Sequence, residues 1–225
     1  MLKQFGRHLF YSEGTRTEPL YVADMKKALR RRYRMTASDI VVVTNERGGR
    51  NTLGLVDYAI RDVAKRIERG ESVDHVWIFY DRDSFRKDDF DNAYNRIIAK
   101  NKAKYRNDDG DSCDQNGTRW HALWSNECFE LWVLLHFRYS DASLSRADYI
   151  PLIDASLARE HSDVTYSKNE GRLFRLLERY GNIRNAVRWA KKLDQSLSNP
   201  TVKNNPSTGI YQLMEYFSRY LNLDL

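Results

Sequence analysis

The chain has 225 residues, enough for one domain or for a domain with an appended helical part, but not for two full-sized domains. Hydrophobic residues make up 41% of it and charged residues 30%, a composition typical of a folded protein rather than a disordered one. The formal net charge of +6 is compatible with an anionic partner such as nucleic acid but does not require one.

The sequence argues against a zinc site, a disulfide framework, a calcium-binding loop and a membrane span. Cys113 and Cys128 follow no metal-ligand spacing, which argues against a zinc site or a disulfide framework and favours a reducing cytoplasm. The Asp-rich stretch 107–117 lacks the glycine and the glutamate that a calcium loop requires, and it indicates a solvated loop. No apolar stretch approaches the roughly 20 residues of a membrane span, so we expect a soluble cytoplasmic protein without membrane contact.

The first part of the chain alternates short apolar runs with helical patterns. This alternation predicts parallel βαβ units, with Thr17 as the N-cap of the first helix. The predicted strands lie near 9–12, 39–44, 75–80 and 119–124, and the predicted helices near 18–34, 52–69, 88–104 and 127–138.

From about residue 141 onward, helical patterns dominate, near 146–159, 170–195 and 207–222, with Ser207 or Thr208 as the cap of the last helix. We therefore predict an α/β fold of the doubly wound, Rossmann-like type. A mainly parallel sheet of about four strands, with helices on both faces, would occupy residues 1–140, and a helical extension packed on it would occupy 141–225.

Acidic residues follow two of the predicted strands. Asp81 and Asp83 lie two residues apart at the exit of the third strand, a spacing that allows both carboxylates to point toward one cation. Glu13 leaves the first strand at the same edge, where ligands of doubly wound sheets bind. An isolated Asp-x-Asp is more often a polar strand end that caps the next helix. Because clustered carboxylates repel one another, the three together favour a Mg²⁺ or Mn²⁺ site.

Four motifs extend along nearly the whole chain, namely Tyr11 to Tyr21, the Asp81-Arg82-Asp83 segment, Ser125 to Phe137, and Asn205 to Thr208. They resemble the successive motifs of the RloB-like family. That resemblance implies a Toprim-like fold, with a nuclease site built from Glu13, Asp81 and Asp83. It also implies a link to bacterial restriction-modification and anti-phage defence, and an ATPase partner encoded nearby.

The same resemblance bears on four further residues. Glu130 matches a family glutamate and is expected to be a further metal ligand or to orient one. Lys168 is a candidate because Toprim-like nucleases often use a lysine near the metals. Glu127 replaces a common proline, which leaves its role open, and acids in a first helical turn also complement the helix dipole. His136 is interpreted as a packed histidine.

Basic residues supply candidates for nucleic-acid contact, although a solvated helix face explains such runs equally well. Arg50 follows a Gly-Gly turn before the second helix, where it could contact a phosphate. The other candidates are Arg16, Lys26, Lys27, Arg30 and Arg31.

The sequence thus predicts a metal-dependent nuclease that hydrolyses RNA, such as tRNA, or DNA, as the effector of a defence system. Two alternatives stay open. The chain could be a non-catalytic nucleic-acid or metal-binding sensor module, or a Toprim-type phosphoryl transferase. A homo-oligomer is compatible with either function, and the choice between RNA and DNA is not determined.

Overall fold

A computed structural model describes residues 5–33, 39–43, 51–82, 87–159, 161, 163–194 and 204–225. Asp83 and Arg50, two of the residues singled out above, lie outside these ranges.

Three strand-helix units open the chain, as predicted. They consist of β1 (His8–Ser12), α1 (Thr17–Arg32), β2 (Ile40–Val43), α2 (Thr52–Glu68), β3 (His75–Asp81) and α3 (Lys87–Ile98). A small hairpin and the longest strand follow, namely β4 (Lys102–Arg106), β5 (Ser112–Cys113) and β6 (Arg119–Asn126). The remaining elements are α4 (Glu130–Leu134), α5 (Arg146–Ala158), α6 (Leu173–Tyr180), α7 (Ile183–Asp194), β7 (Ser207–Thr208) and α8 (Tyr211–Leu221).

The main sheet has five strands in the order β2-β1-β3-β6-β7. The first four are parallel, and β7 runs antiparallel to β6. This arrangement confirms the predicted α/β fold with a mainly parallel sheet. Because the parallel strands end on the same side, the sheet has a single carboxyl edge, at which Ser12 and Asp81 complete their strands.

Successive strand residues alternate between two hydrophobic clusters, one on each face of the sheet. Leu9 and Tyr11 pack with α2 and α3, whereas Phe10 and Phe79 pack with α1 and the helices that follow β6. The helices therefore cover both faces, as predicted. Since side chains two apart share a face, the face on which a strand-end acid emerges can be read from the residues before it.

The prediction of a helix over 88–104 is wrong beyond Ile98. Asn101 ends the helix because its side-chain amide bonds to the backbone of β6, accepting from Trp120 N at 2.9 Å and donating to Trp120 O at 2.8 Å. Residues 102–106 then form β4, which pairs with β5. This pair lies within the stretch that the sequence presents as helix followed by loop.

Three other local predictions are also wrong. Thr17 is the first residue of α1 rather than its cap, since its hydroxyl donates to Lys168 O at 3.2 Å. The helix predicted over 170–195 is two helices, which separate at Gly181, where a side chain would clash with the Cβ of His136 at 2.7 Å. Ser207 and Thr208 form β7 instead of capping α8.

The helical extension predicted from residue 141 contributes to the main core. It supplies β7 to the sheet and α8 to the cluster beneath β1 and β3. Within the described ranges, no helix is long and apolar enough to cross a membrane.

Candidate functional site

Two acidic residues lie at the carboxyl edge of the sheet, at the ends of the neighbouring strands β1 and β3. Glu13 directly follows β1, and its backbone N–H donates to Phe79 O of β3 at 3.1 Å. Asp81 ends β3, two residues beyond Phe79. The edge therefore brings the backbones of both predicted acids together, as their positions after neighbouring strands require.

The carboxylate of Glu13 turns toward α2. Its Oε2 accepts a hydrogen bond from the hydroxyl of Thr52, the first residue of that helix, at 3.1 Å. Thr52 is itself buried, with 1% of its surface exposed. Glu13 thus belongs to the face of the sheet that carries Leu9 and Tyr11, and it lies near the N-terminus of α2, where a negative charge is favourable.

Asp81 contacts the other layer of helices. Arg146, the first residue of α5, donates to Asp81 Oδ2 at 3.1 Å. The acid is well covered, with 15% of its side chain exposed, whereas the arginine is 42% exposed. A buried carboxylate is stabilised by such a partner, and the partner still reaches solvent.

Glu130, at the start of α4, has the same arrangement as Asp81. Lys168 Nζ lies 3.0 Å from its Oε1, and the hydroxyl of Tyr166 donates to the same oxygen at 3.3 Å. The glutamate side chain is 3% exposed, and that of the lysine 38%. Burial, followed by the charge of Glu130 and the bond to it, raises the pKa of Tyr166 well above its usual value, so the phenol remains a donor.

The segment that carries Lys168 docks on the loop after β1. Thr17 Oγ1 donates to Lys168 O at 3.2 Å, and Arg16 donates to Asn169 Oδ1 at 3.1 Å. Gly14 in this loop lies against the carboxylate of Glu18, which a Cβ at that position would displace. The loop and this segment together place Lys168 beside Glu130, which the sequence alone could not establish.

Cys128 lies beneath the two acid-cation pairs. It is fully buried, and burial, reinforced by the charges of Glu130 and Asp81, raises the pKa of its thiol well above the usual range. A thiol held protonated in this way is a poor nucleophile. Cys128 is therefore poorly suited to act as a catalytic nucleophile at this edge.

The acids at this edge have the chemistry of a hard-cation site but are not gathered into one. Carboxylate oxygens are the ligands that Mg²⁺ and Mn²⁺ prefer. Within the part of the chain that the structure describes, no three His, Cys, Asp or Glu side chains are grouped closely enough to hold a metal ion. Glu13 and Asp81 contact opposite helical layers, and Asp83 lies outside the described residues. Carboxylate oxygens suit Mg²⁺ or Mn²⁺, and the role of Glu13, Asp81 and Asp83 as metal ligands stays a prediction.

Of the predicted basic contacts, Arg16 lies at this edge, in the loop after β1, whereas those of α1 lie away from it. α1 begins at Thr17 near Lys168 and runs toward the opposite end of the sheet, so Arg30 and Arg31 lie about 20 Å along the helix from it. Lys27, Arg30 and Arg31 are exposed, while Lys26 donates to Ile40 O and burial lowers its pKa.

Two residues of the motif from Ser125 to Phe137 have structural partners. Glu127 lies 3.5 Å from Arg82, the residue after Asp81. His136 is buried, and its Nδ1 lies 2.9 Å from Trp132 O. The interpretation of His136 as a packed histidine agrees with this placement.

Three contributors to the edge were missed from the sequence, namely Thr52, Arg146 and Tyr166. Of the three, only Thr52 could have been located from the local sequence, because it is the first residue of the helix predicted over 52–69. Arg146 and Tyr166 reach their acids across 65 and 36 residues of chain, and such pairings leave no mark on neighbouring residues.

Comparison with known proteins gives one finding. The family model described as RloB-like protein matches residues 9–217, nearly the whole chain, including all three described acids and both cations that contact them. Searches of curated proteins and of solved structures returned no match. On the strength of that match, the chain belongs to the RloB-like protein family.

Proposed function

We propose that this protein is a divalent-metal-dependent nuclease that hydrolyses phosphodiester bonds in RNA or DNA. The observation that carries the proposal is the pairing of two covered acids with two partly exposed cations at the carboxyl edge, Asp81 with Arg146 and Glu130 with Lys168. An anionic phosphate approaching this edge would meet the cations first, with the carboxylates behind them.

In the proposed reaction, Glu13, Asp81 and Asp83 would hold Mg²⁺ or Mn²⁺. Such an ion supplies an activated water and neutralises charge on the scissile phosphate. Arg146 and Lys168 bind the non-bridging phosphate oxygens and orient the phosphodiester. Glu130 holds the lysine ammonium in place, and the Tyr166 hydroxyl fixes the carboxylate in turn.

The biological setting is part of the same proposal. The resemblance of its motifs to the RloB-like family implies a link to anti-phage defence. We propose that the chain is the effector of such a system, with an ATPase encoded nearby as its sensor partner. The basic net charge of +6 is compatible with a nucleic-acid substrate.

One observation favours a second candidate function. Asp81 already has a cationic partner in Arg146. This pairing suits a non-catalytic module that binds nucleic acid and leaves cleavage to a partner. The two functions differ in whether the purified chain cuts by itself.

The test is cleavage of labelled single-stranded RNA, tRNA, single-stranded DNA and duplex DNA by the purified chain with Mn²⁺ or Mg²⁺. We expect cleavage that EDTA abolishes, and a loss of about 100-fold or more in each of Glu13→Gln, Asp81→Asn and Asp83→Asn. Asp57→Asn removes a carboxylate from the surface of α2, where it pairs with Arg96, and should leave the rate unchanged.

Mn²⁺ binding, measured by calorimetry, gives a second reading that does not depend on turnover. It should weaken in Asp81→Asn and Asp83→Asn and persist in Asp57→Asn. If the wild type binds nucleic acid but cuts none of the four substrates with either ion, the binding module replaces the nuclease.

A further inference from the structure

A surface remote from the α1 basic run combines cations with aromatic rings. Lys192 Nζ lies 4.5 Å from the ring centroid of Tyr139, and the guanidinium of Arg188 lies 5.8 Å from that of Trp189. The two rings are themselves 6.1 Å apart. We call Tyr139, Arg188, Trp189 and Lys192 the aromatic-basic strip.

The cations of the strip differ from their neighbours on α7. Arg184 pairs with Asp224 at 2.7 Å, and Lys191 pairs with Glu215. Arg188 and Lys192 are exposed, and no ion pair joins either of them to a carboxylate of the described residues. Their charge is therefore available to an external anion.

A cavity of about 330 Å³ adjoins one end of the strip. The connection is Arg188, which donates to Asn185 Oδ1 at 3.0 Å, and Asn185 lines the cavity. A volume near 300 Å³ is at the lower end for small-molecule pockets and suits a single planar ring system. The walls combine rings and amides: His136, His161, Tyr180, Asn182 and Asn185.

His136, one of the residues that line this cavity, has a buried ring nitrogen without a partner among the described residues. Its Nδ1 faces Trp132 O at 2.9 Å and must carry the proton, because a carbonyl oxygen only accepts. Burial lowers the pKa of His136 to about 4, so the ring is neutral and Nε2 holds a lone pair. Among the described residues, this buried Nε2 has no hydrogen-bond partner. A buried polar atom without a partner is rare in native proteins and points to a missing donor.

We infer that the strip and the cavity bind single-stranded nucleic acid, with phosphates on Arg188 and Lys192 and one unstacked base in the cavity. Aromatic rings stack on bases of any sequence, and cations beside them hold the backbone. The polar edges of such a base can bond with the amides of Asn182 and Asn185 in the cavity wall. A duplex hides these edges, which makes the surface selective for single strands.

The choice of ligand rests on the proposed function, but its test does not require cleavage. Fluorescence anisotropy in EDTA, with labelled single-stranded RNA, single-stranded DNA and duplex DNA of equal length, measures binding alone. Wild type should bind single strands at least tenfold more tightly than duplex, and Asp57→Asn, which removes a surface carboxylate of α2, should bind as wild type does. Failure of nuclease activity would leave this result unchanged.

Variants of α7 separate the strip from general basic charge. Arg188→Gln with Lys192→Gln should weaken single-strand binding about tenfold and reduce the slope of log affinity against log salt by about 1 to 2. The matched control is Arg184→Gln with Lys191→Gln, which removes the same charge from the same helix at residues that already have acidic partners. This control should retain wild-type affinity within about threefold.

The cavity is tested at its partly exposed wall, because replacing buried His136 endangers folding. His161 lies 4.6 Å from Tyr180, ring to ring. Either His161→Ala or Tyr180→Ala should weaken binding about five- to tenfold without changing the salt slope. The inference is overturned if duplex binds as well as single strands, if the control weakens binding as much as the strip variant, or if the protein binds anionic vesicles but no oligonucleotide.

Discussion

Asp24 is the residue whose charge is most completely removed from water. It lies in the middle of α1 with 0% of its side chain exposed, and it accepts two hydrogen bonds from Arg175, from the backbone N at 2.9 Å and from Nε at 2.8 Å. A buried carboxylate requires such partners, since an unpaired one would cost several kcal/mol. The pair fastens α1 to α6 across 151 residues of chain.

We expect Asp24→Ala to lower the free energy of unfolding by about 3 kcal/mol, the lower end for a broken buried pair, because the Arg175 left behind is 32% exposed. Urea denaturation measures the change. The control is Asp57→Ala, whose partner Arg96 is 50% exposed and whose loss should cost about 0 to 1 kcal/mol. Equal effects of the two substitutions would contradict this account.

Single residues divide clearly into those that the sequence can locate and those that it cannot. Glu13 and Asp81 follow apolar strands directly, so their place at the carboxyl edge is a local property and was predicted. The partners Arg146 and Arg175 lie in predicted helices, but nothing in the helical pattern indicates which acid each arginine contacts. These contacts arise from tertiary packing. The ligand role of Glu13, Asp81 and Asp83 stays a prediction.

Among the elements, β7 has only two residues, as β5 does, yet it completes the main sheet beside β6. It consists of Ser207 and Thr208, and it pairs with Asn126 and Ser125 at the end of β6. Thr208 Oγ1 donates to Trp124 O at 3.1 Å, and the next residue, Gly209, lies against the Trp124 ring. This strand covers the edge of β6 next to the candidate site.

Gly209→Ala should therefore destabilise the protein by about 1 to 3 kcal/mol, because the new Cβ would lie 2.5 Å from the buried ring of Trp124. The midpoint of thermal unfolding is the measurement. Gly171→Ala is the matched substitution, since a Cβ there meets no atom within 4 Å. Should both variants melt together with wild type, β7 would not be packed as described.

Elements were predictable where one pattern extends over several residues. The apolar runs of β1, β3 and β6 are unambiguous because both faces of a parallel sheet are buried. A strand of two residues such as β7 offers no periodicity. The residues of the exposed, lysine-rich β4 alternate too weakly between apolar and polar types to be distinguished from the end of a helix. The chain enters β4 directly after the contact of Asn101 with β6.

For the molecule as a whole, the opposite edge of the sheet holds a cluster of buried histidines. The rings of His8 and His75 stack at 4.7 Å, and that of His121 stacks on Trp77 at 3.6 Å. Burial, and then the neighbouring His75 charge, lowers the pKa of both His8 and His121 well below 6.5, with Arg219 and Arg119 acting in the same direction. The folded protein therefore keeps both rings neutral.

This cluster makes stability depend on pH. The unfolded chain takes up protons at His8 and His121 below about pH 6.5, and the folded chain does not, so stability is full above that pH and falls as the pH drops below it. Between pH 7.0 and 5.5, we expect a loss of roughly 2 to 3 kcal/mol from the two groups. Urea denaturation at both pH values measures it.

Because burial also lowers the pKa of His136 to about 4, a third histidine adds roughly 1 kcal/mol to the same difference. The control for this prediction is His121→Gln, which removes one of the three groups and should lower the difference between the pH values by roughly a third, whatever its effect on stability at pH 7.0. An unchanged difference in this variant, or a wild type equally stable at both pH values, would show that the histidines do not carry the pH dependence.

The pairing of Ser125 with Thr208 also has a consequence in time. Their side chains meet across 83 residues of chain, so a ribosome must add everything between them before the edge beside Asp81 is covered. At synthesis rates of about 5 to 20 residues per second, this takes about 4 to 16 s. During that interval the growing chain has its strand-end acids but lacks Lys168 for much of the time and β7 throughout. The strand-end acids and the residues that cover them therefore come together only after most of the chain has been synthesised.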